Sequence, residues 1–227
     1  MTYIEGRNLF RSQLKVFFEI KEIDFYYKMI LKSFFKIEPT SLALEPKTLF
    51  LPAKVKIIKA VLQRLLNEEP LQYILGTTSF RSLELLVTPA VLIPRPETEE
   101  LVEWVLEDYK SINFEHVVID MGTGSGCIAI SLAKEQPFFN VTALDISSKA
   151  LEIAKSNAIK NKTIINFLQA DITALSSEIF PVNVIVSNPP YIHPREKKEM
   201  KNNVLNNEPP IALFVPEEDP LLFYRCI

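Results

Sequence analysis

Glycine is scarce in this chain: there are only five among 227 residues, and three of them lie between positions 122 and 126. This cluster marks the one stretch where the backbone is needed without side chains. The composition is 48% hydrophobic and 23% charged, with no internal repeat or low-complexity segment. The chain is therefore expected to form one large or two ordinary globular domains.

Cysteine and histidine are also scarce, with two residues of each. Cys127 and Cys226 lie about a hundred residues apart, and His116 and His193 stand alone in the sequence. None of these spacings is typical of a disulfide framework or a zinc site, so we expect no metal. An apolar run long enough to span a membrane and an N-terminal signal pattern are missing too, which favours a cytoplasmic protein without a membrane partner.

A strong excess of positive charge is lacking, because the net charge is −3. Residues 1–79 carry 12 Lys or Arg against 8 Asp or Glu, whereas residues 80–227 carry 13 against 20. The two parts therefore differ in charge, at +4 and −7. The acidic second part argues against direct nucleic-acid binding by charge, and the basic first part suits either an acidic partner or a solvated helical face.

The periodicity of apolar residues divides the chain into three parts. Residues 1–76 repeat at helical spacing and predict a small all-helical domain. Residues 77–95 have strand-like composition followed by prolines, and predict a hairpin or linker. Residues 96–227 begin with a helix at Pro96 and then alternate short apolar strands with helical segments. This alternation predicts an α/β domain with a parallel sheet, and its strands are expected at 117–119, 141–144, 164–168 and 182–186.

The glycine cluster follows the first strand of this sheet and lies within Asp120–Gly126. The pattern lacks both the third small residue of a dinucleotide fingerprint and the Lys of a phosphate loop, so a phosphate ligand is disfavoured. Asp120 instead suits a ligand with an ammonium group, and Asp145, at the end of the second strand, suits ribose hydroxyls. S-adenosylmethionine carries both groups, although a plain tight turn remains an alternative.

Two further features continue this interpretation. Asp171 follows the third strand and is placed to accept a hydrogen bond from adenine, with Ile172 packing on the ring; an ordinary helix N-cap is the alternative for Asp171. Residues 188–191 read Asn-Pro-Pro-Tyr and form a rigid loop, because both prolines have restricted backbones. A strand order of 3-2-1-4 would bring this loop beside the glycine turn, where it could grip a planar nitrogen.

These residues resemble the Asn-Pro-Pro-Tyr class of Rossmann-type methyltransferases, and closely the release-factor glutamine methyltransferases. The more specific segments are 69–76 and 92–99, and the resemblance continues through Glu208-Pro209 and Ala212-Leu213. It implies N5-methylation of the glutamine in the Gly-Gly-Gln motif of class 1 release factors, with the helical domain helping to hold that protein, and we expect a monomer. The resemblance also places Arg95, Glu97 and Thr98 beside the cofactor pocket, where a simple helix start is the alternative.

The expected site combines these assignments. Asn188, Pro189 and Tyr191 are the predicted catalytic residues. The predicted cofactor residues are Asp120, Gly122, Thr123, Gly124, Ser125, Gly126, Asp145, Asp171, Ile172 and Asn188. The predicted substrate residues are Asn188, Pro189, Pro190, Tyr191 and Arg95.

One departure and two alternatives accompany this prediction. Family members have a seven-stranded sheet, whereas this chain ends soon after its fourth predicted strand, so the last three strands are expected to be absent. An adenine-N6 methyltransferase of DNA or RNA would use the same loop on a flipped base. An inactive truncated product that only binds cofactor is the other alternative, and open sheet edges would make it prone to aggregation.

Overall fold

The computed structural model describes residues 1–175 and 181–227, and the chain divides into two compact units, Met1–Leu75 and Gly76–Ile227. The segment 77–95, which its composition set apart, lies within the second unit. Among the described residues, no helix is both long and apolar enough to cross a membrane.

The first unit contains five helices. These are α1 (Tyr3–Leu14), α2 (Ile20–Phe35), α3 (Pro39–Leu44), α4 (Pro52–Leu66) and α5 (Leu71–Leu75). Thr2 and Glu5 form a capping box at the start of α1, and prolines open α3 and α4, where the missing N–H has no helical partner to lose. The core is apolar and includes Phe10, Tyr27 and Ile58, each fully buried. The helical periodicity of residues 1–75 is thus satisfied by a packed bundle.

The second unit begins with an antiparallel hairpin of β1 (Thr77–Phe80) and β2 (Leu83–Leu86), followed by α6 (Pro96–Asp108). Arg81 lies in the hairpin turn with φ of 48°. Its guanidinium pairs with Glu103 and Glu135, at 2.7 and 2.8 Å, which ties the turn to α6 and the following helix. A left-handed Arg is unfavourable locally, and the ion pairs hold its side chain in a fixed position.

A four-stranded parallel sheet forms the centre of this unit. Its strands are β3 (His116–Met121), β4 (Phe139–Asp145), β5 (Asn166–Gln169) and β6 (Val184–Ser187), in the spatial order β5-β4-β3-β6. The crossover helices α7 (Cys127–Glu135) and α8 (Ser148–Asn161) connect the first three strands. The predicted parallel α/β sheet is therefore confirmed, and its strand order is the 3-2-1-4 arrangement that would bring the Asn-Pro-Pro-Tyr loop beside the glycine turn.

The structure departs from the predicted elements in three places. The fourth strand was expected from residue 182, but β6 begins at Val184. The third strand was expected from residue 164, but β5 begins at Asn166, and Ile164 is 94% exposed. The cause is the end of α8, where Lys162 is left-handed and Thr163 still donates to the carbonyl of Ala158. The segment 202–220, whose proline-rich and acidic composition predicts a loop, contains the short helix α9 (Asn202–Leu205) and a 3-10 turn at Pro210–Ala212 before α10 (Leu222–Cys226).

Candidate active site

A cavity of about 290 Å³ lies at the carboxyl ends of the parallel strands. Its wall contains residues 122–125, 144–147 and 170–173, together with Asn188 and Pro190. Parallel α/β sheets bind ligands at this edge because the loops that leave neighbouring strands meet there. The glycine turn and the Asn-Pro-Pro loop, which are 66 residues apart in sequence, therefore share one cavity, as the sequence predicted.

The glycine turn is held against the end of β4 by its backbone. The N–H groups of Gly122 and Thr123 both donate to the carbonyl of Leu144 at 2.9 Å. Gly122 and Gly124 have φ of 76° and 54°, and a Cβ on either would meet nothing within 4 Å. These two glycines are thus required by backbone conformation, and their open sides leave room for a ligand.

Gly126 has a different reason to be glycine. A Cβ there would lie 3.0 Å from Ile130 and 3.2 Å from Ala154, and φ is 82°. The residue is buried and is not part of the cavity wall. It permits α7 and α8 to approach each other closely behind the turn, and its contact with a cofactor stays a prediction.

Asp145 holds the turn and also faces the cavity. Its Oδ2 accepts from the N–H of Gly124 at 2.8 Å, and its Oδ1 accepts from the N–H of Ser147 at 2.9 Å. Each carboxylate oxygen has a second lone pair. Both oxygens can therefore accept from a second donor, such as a pair of neighbouring ribose hydroxyls, and the donor chemistry fits S-adenosylmethionine.

Asp120 lies beneath the turn rather than on the cavity wall. It is fully buried, and its Oδ2 accepts from the hydroxyl of Thr123 at 2.6 Å and the N–H of Ala129 at 3.2 Å. Burial raises the pKa of Asp120 to about 7, because water no longer stabilises the charged form. In this placement the carboxyl supports the turn from behind, and its contact with a ligand ammonium group stays a prediction.

Asn188 lies directly after β6 and lines the cavity. Its Nδ2 donates to the hydroxyl oxygen of Thr98 at 3.1 Å. The preceding residue, Ser187, donates its hydroxyl to the carbonyl of Met121 at 2.6 Å, which ties the end of β6 to the end of β3. The loop therefore starts from a well-anchored strand end.

The remaining residues of the Asn-Pro-Pro-Tyr loop differ in exposure. Pro190 lines the cavity, Pro189 lies outside its wall, and Tyr191 is 60% exposed and also outside the wall. Asp171 and Ile172 both line the cavity, and Asp171 caps the following turn by accepting from the N–H of Thr173 at 2.8 Å. The two interpretations of Asp171, as a cap and as a wall residue, are thus compatible.

Arg95 lines the cavity and pairs with a buried carboxylate. Its Nη2 lies 2.6 Å from Oε1 of Glu208, whose side chain is 1% exposed. The other oxygen of Glu208 accepts from the N–H of Ile93 at 3.4 Å. Glu208 thus fastens the segment that opens α6 to the chain 113 residues later, where Pro209 and Ala212 complete the wall.

Three residues of this region were not singled out by their pattern. Asn157 on α8 is fully buried; its Oδ1 accepts from Leu86 N–H at 2.6 Å, and its Nδ2 donates to the carbonyls of Leu86 and Ser125 at 3.0 and 2.9 Å. It links the hairpin to the glycine turn. Ser147 and Cys127 line the cavity, and burial raises the pKa of the Cys127 thiol to about 12, which keeps it protonated. The positions of Ser147 soon after Asp145 and of Cys127 directly after Gly126 could have been noticed in the sequence.

Two family models match the chain. The PrmC N-terminal domain matches residues 9–76, and the Methyltransferase small domain matches residues 98–208. Their boundary lies close to the division between the two compact units, which is at residues 75 and 76.

Curated relatives agree with these matches. The release factor glutamine methyltransferase of Flavobacterium psychrophilum is 44% identical over 97% of this chain and 78% of its own length. The enzymes of the same name from Bacteroides thetaiotaomicron and Streptococcus pneumoniae are 45% and 46% identical over 77% and 76% of this chain. The chain spans 62% and 60% of those two relatives. It therefore belongs to the family of release factor glutamine methyltransferases, which are enzymes dependent on S-adenosylmethionine.

Proposed function

We propose that this chain transfers a methyl group from S-adenosylmethionine to the side-chain nitrogen N5 of a glutamine, in the Gly-Gly-Gln motif of class 1 peptide chain release factors. The observation that supports it most is the shared cavity of the glycine turn, Asp145 and Asn188. A cofactor subsite and an amide-binding group are thus next to each other, as methyl transfer requires. The names of the relatives favour the same substrate.

The cofactor half of the site is formed by the turn and by Asp145. When bound, S-adenosylmethionine supplies an electrophilic methyl group on its sulfonium. We assign the ribose hydroxyls to the free lone pairs of Asp145, and the adenine to Ile172 and Asp171. Thr123 and Ser125 line the cavity with Gly122 and Gly124, so they stay in the predicted cofactor set.

The acceptor half of the site must overcome the low nucleophilicity of an amide nitrogen, whose lone pair is delocalised into its carbonyl. We assign Asn188 Oδ1 and the carbonyl of Pro189 to the two hydrogens of the glutamine amide. Acceptance of both hydrogens favours a pyramidal nitrogen and stabilises the positive charge that develops on it during in-line attack. Tyr191 is assigned to the face of the amide plane, and Pro190 and Arg95 to the wall around it.

No strong base is needed in this scheme. As the N–CH3 bond forms, the S–CH3 bond would break and S-adenosylhomocysteine would leave, and the N-methylated amide would carry a positive charge. Such a cation is strongly acidic and loses its extra proton readily to water. This agrees with the composition of the cavity wall, where no His or Lys is found among the described residues. Transfer would then depend on orientation and on hydrogen-bond acceptors rather than on proton abstraction.

The partners follow from the same scheme. We propose a monomer that acts in the cytoplasm on a release factor, without binding nucleic acid or a membrane. The net charge of −7 over residues 80–227 disfavours the alternative of an adenine-N6 methyltransferase, because a nucleic acid would meet an acidic surface. The relatives' names do not favour that alternative either.

The test is incubation with isotopically labelled S-adenosylmethionine and a purified class 1 release factor, followed by mass spectrometry of the peptide that contains Gly-Gly-Gln. One labelled methyl group on the glutamine is the expected result. A release factor with Glu in place of that Gln is the control and should remain unlabelled. Label on another residue, or label transferred only to DNA or RNA, would contradict the proposed substrate.

A further inference from the structure

We propose that Thr98 is a positioning residue, which holds the side-chain amide of Asn188 with its oxygen toward the acceptor nitrogen. The proposal rests on the proposed function, because it concerns the same amide-binding group. Its basis is the hydrogen bond from Asn188 Nδ2 to Thr98 Oγ1, at 3.1 Å, between residues that are 90 positions apart.

The orientation of an Asn amide decides whether it can assist this reaction. One end of the group only accepts hydrogen bonds and the other only donates them. The acceptor nitrogen presents N–H groups before transfer, so the oxygen of Asn188 must face it. In the part of the chain that the structure describes, nothing donates to Asn188 Oδ1, whereas Nδ2 is already bonded to Thr98. The available end is therefore the one that the reaction needs.

In the orientation that the structure shows, the Thr98 hydroxyl oxygen accepts from Nδ2 and so stabilises that end of the amide. A partly buried N–H group without an acceptor raises the free energy of the folded protein. Loss of the Thr98 hydroxyl would therefore favour rotation of the Asn188 side-chain amide. The rotated amide would point its N–H groups at the N–H groups of the acceptor. Such a state still folds and still holds cofactor, but it cannot assist transfer.

Thr98 is itself held firmly. It is 6% exposed and lies in the first turn of α6, where its N–H donates to the carbonyl of Arg95 at 3.0 Å. Arg95 in turn is paired with the buried carboxylate of Glu208 at 2.6 Å. The Thr98 hydroxyl is therefore presented by a helix start that is fixed to a second segment of the cavity wall.

Thr98→Val is the informative variant because it replaces the hydroxyl by a methyl group of similar size. One hydrogen bond of this kind corresponds to about a tenfold change, so kcat for the release factor should fall about tenfold. The dissociation constant of S-adenosylmethionine should stay within about twofold of the wild type, because Asn188 is only one of the predicted cofactor residues and its side chain is still present. Thr98→Ser keeps the hydroxyl and should recover most of kcat.

Two controls separate positioning from general damage. Thr163→Val makes the same chemical change after α8, outside the cavity wall, and should leave kcat unchanged. In the Asn188→Ala background, Thr98→Val should cause no further loss, since its effect acts through Asn188. An equal loss in both backgrounds would overturn the proposal.

A measurement that needs no methyl transfer completes the test. In protein labelled with ¹⁵N on asparagine, the side-chain amide signals of Asn188 are those that vanish in Asn188→Ala. Thr98→Val should shift these signals and speed their exchange with water, and Thr98→Ser should not. Unchanged signals in Thr98→Val would overturn the proposal even if methylation occurs. A wild-type chain that methylates no release factor would refute the proposed function instead. The Asn188 amide signals would still show whether Thr98 accepts a hydrogen bond from Asn188.

Discussion

Replacement of Asp120 by Asn should remove a pH-dependent loss of stability from this protein. Burial raises the pKa of Asp120 from 3.8 to about 7, so the folded chain binds one more proton than the unfolded chain between these values. Stability therefore falls as the pH rises through this window, and the loss is complete above pH 7. A shift of roughly three units at about 1.4 kcal/mol each gives a total of about 4 kcal/mol, as an upper value.

The part of this loss that can be measured near neutrality is smaller. Between pH 5 and pH 8 the wild type should lose about 2 to 3 kcal/mol of unfolding free energy that the Asn variant retains. The Asn side chain keeps an oxygen for the two donors, Thr123 and Ala129, so the fold should survive. The assay is urea unfolding of both proteins at several pH values, followed by circular dichroism.

Comparison of the two proteins isolates the contribution of Asp120, because every other titrating group is common to both. Asp108→Asn removes a carboxyl from the exposed end of α6 and is the matched control. Parallel curves for the wild type and Asp120→Asn would show that the buried carboxyl titrates equally in the folded and unfolded chains. That result would refute the assignment of a raised pKa to this residue.

Three further predictions concern the cavity. Asn188→Ala should lower kcat for the release factor by about 10² while calorimetry finds cofactor affinity nearly unchanged; near-normal turnover would exclude its role. Asp145→Ala should weaken S-adenosylmethionine binding about 10-fold to 100-fold in the same calorimetric assay, because hydrogen bonds to a charged group are lost, and unaltered affinity would place the ribose elsewhere. Arg95→Ala should lower the free energy of unfolding by about 2 kcal/mol, since the Glu208 carboxylate is left buried. The exposed pair of Arg195 and Glu217 offers the control Arg195→Ala, where the loss in the same urea titration should stay below about 1 kcal/mol; equal losses would contradict the argument from burial.

The parts of the fold that depend on local pattern could be predicted from the sequence. Short apolar strands alternating with helical segments indicated a parallel sheet, and the turn after β3 required glycines because Gly122 and Gly124 have positive φ. Ligands bind at the carboxyl ends of the strands in such sheets, so Asp145 and Asn188 could be assigned to one crevice from their positions in the sequence. Both assignments depend on spacing within a few residues of a strand.

The contacts that organise the cavity from a distance could not be predicted in this way. Asn188 and Thr98 are 90 residues apart, Arg95 and Glu208 are 113 apart, and Asn157 reaches Leu86 over 71 residues. Periodicity carries no information about such pairs. The burial of Asp120 is a similar case, because a carboxylate before a glycine turn can point either into the cavity or beneath it. Ile164 was wrongly predicted to lie in a strand because its side chain is apolar. It follows the end of α8, where the backbone hydrogen bonds that close the helix determine the direction of the chain.

The spatial order of the sheet has a consequence for synthesis on the ribosome. The central strand β3 pairs with β4, which follows soon in the chain, and with β6, in which Ser187 bonds to Met121 across 66 residues. At about 5 to 20 residues per second, one side of β3 stays unpaired for about 3 to 13 s after it has been made. A newly made chain thus exposes an apolar strand edge during that interval, and slower codons between 122 and 187 should lower the soluble yield of this protein without any change in its sequence.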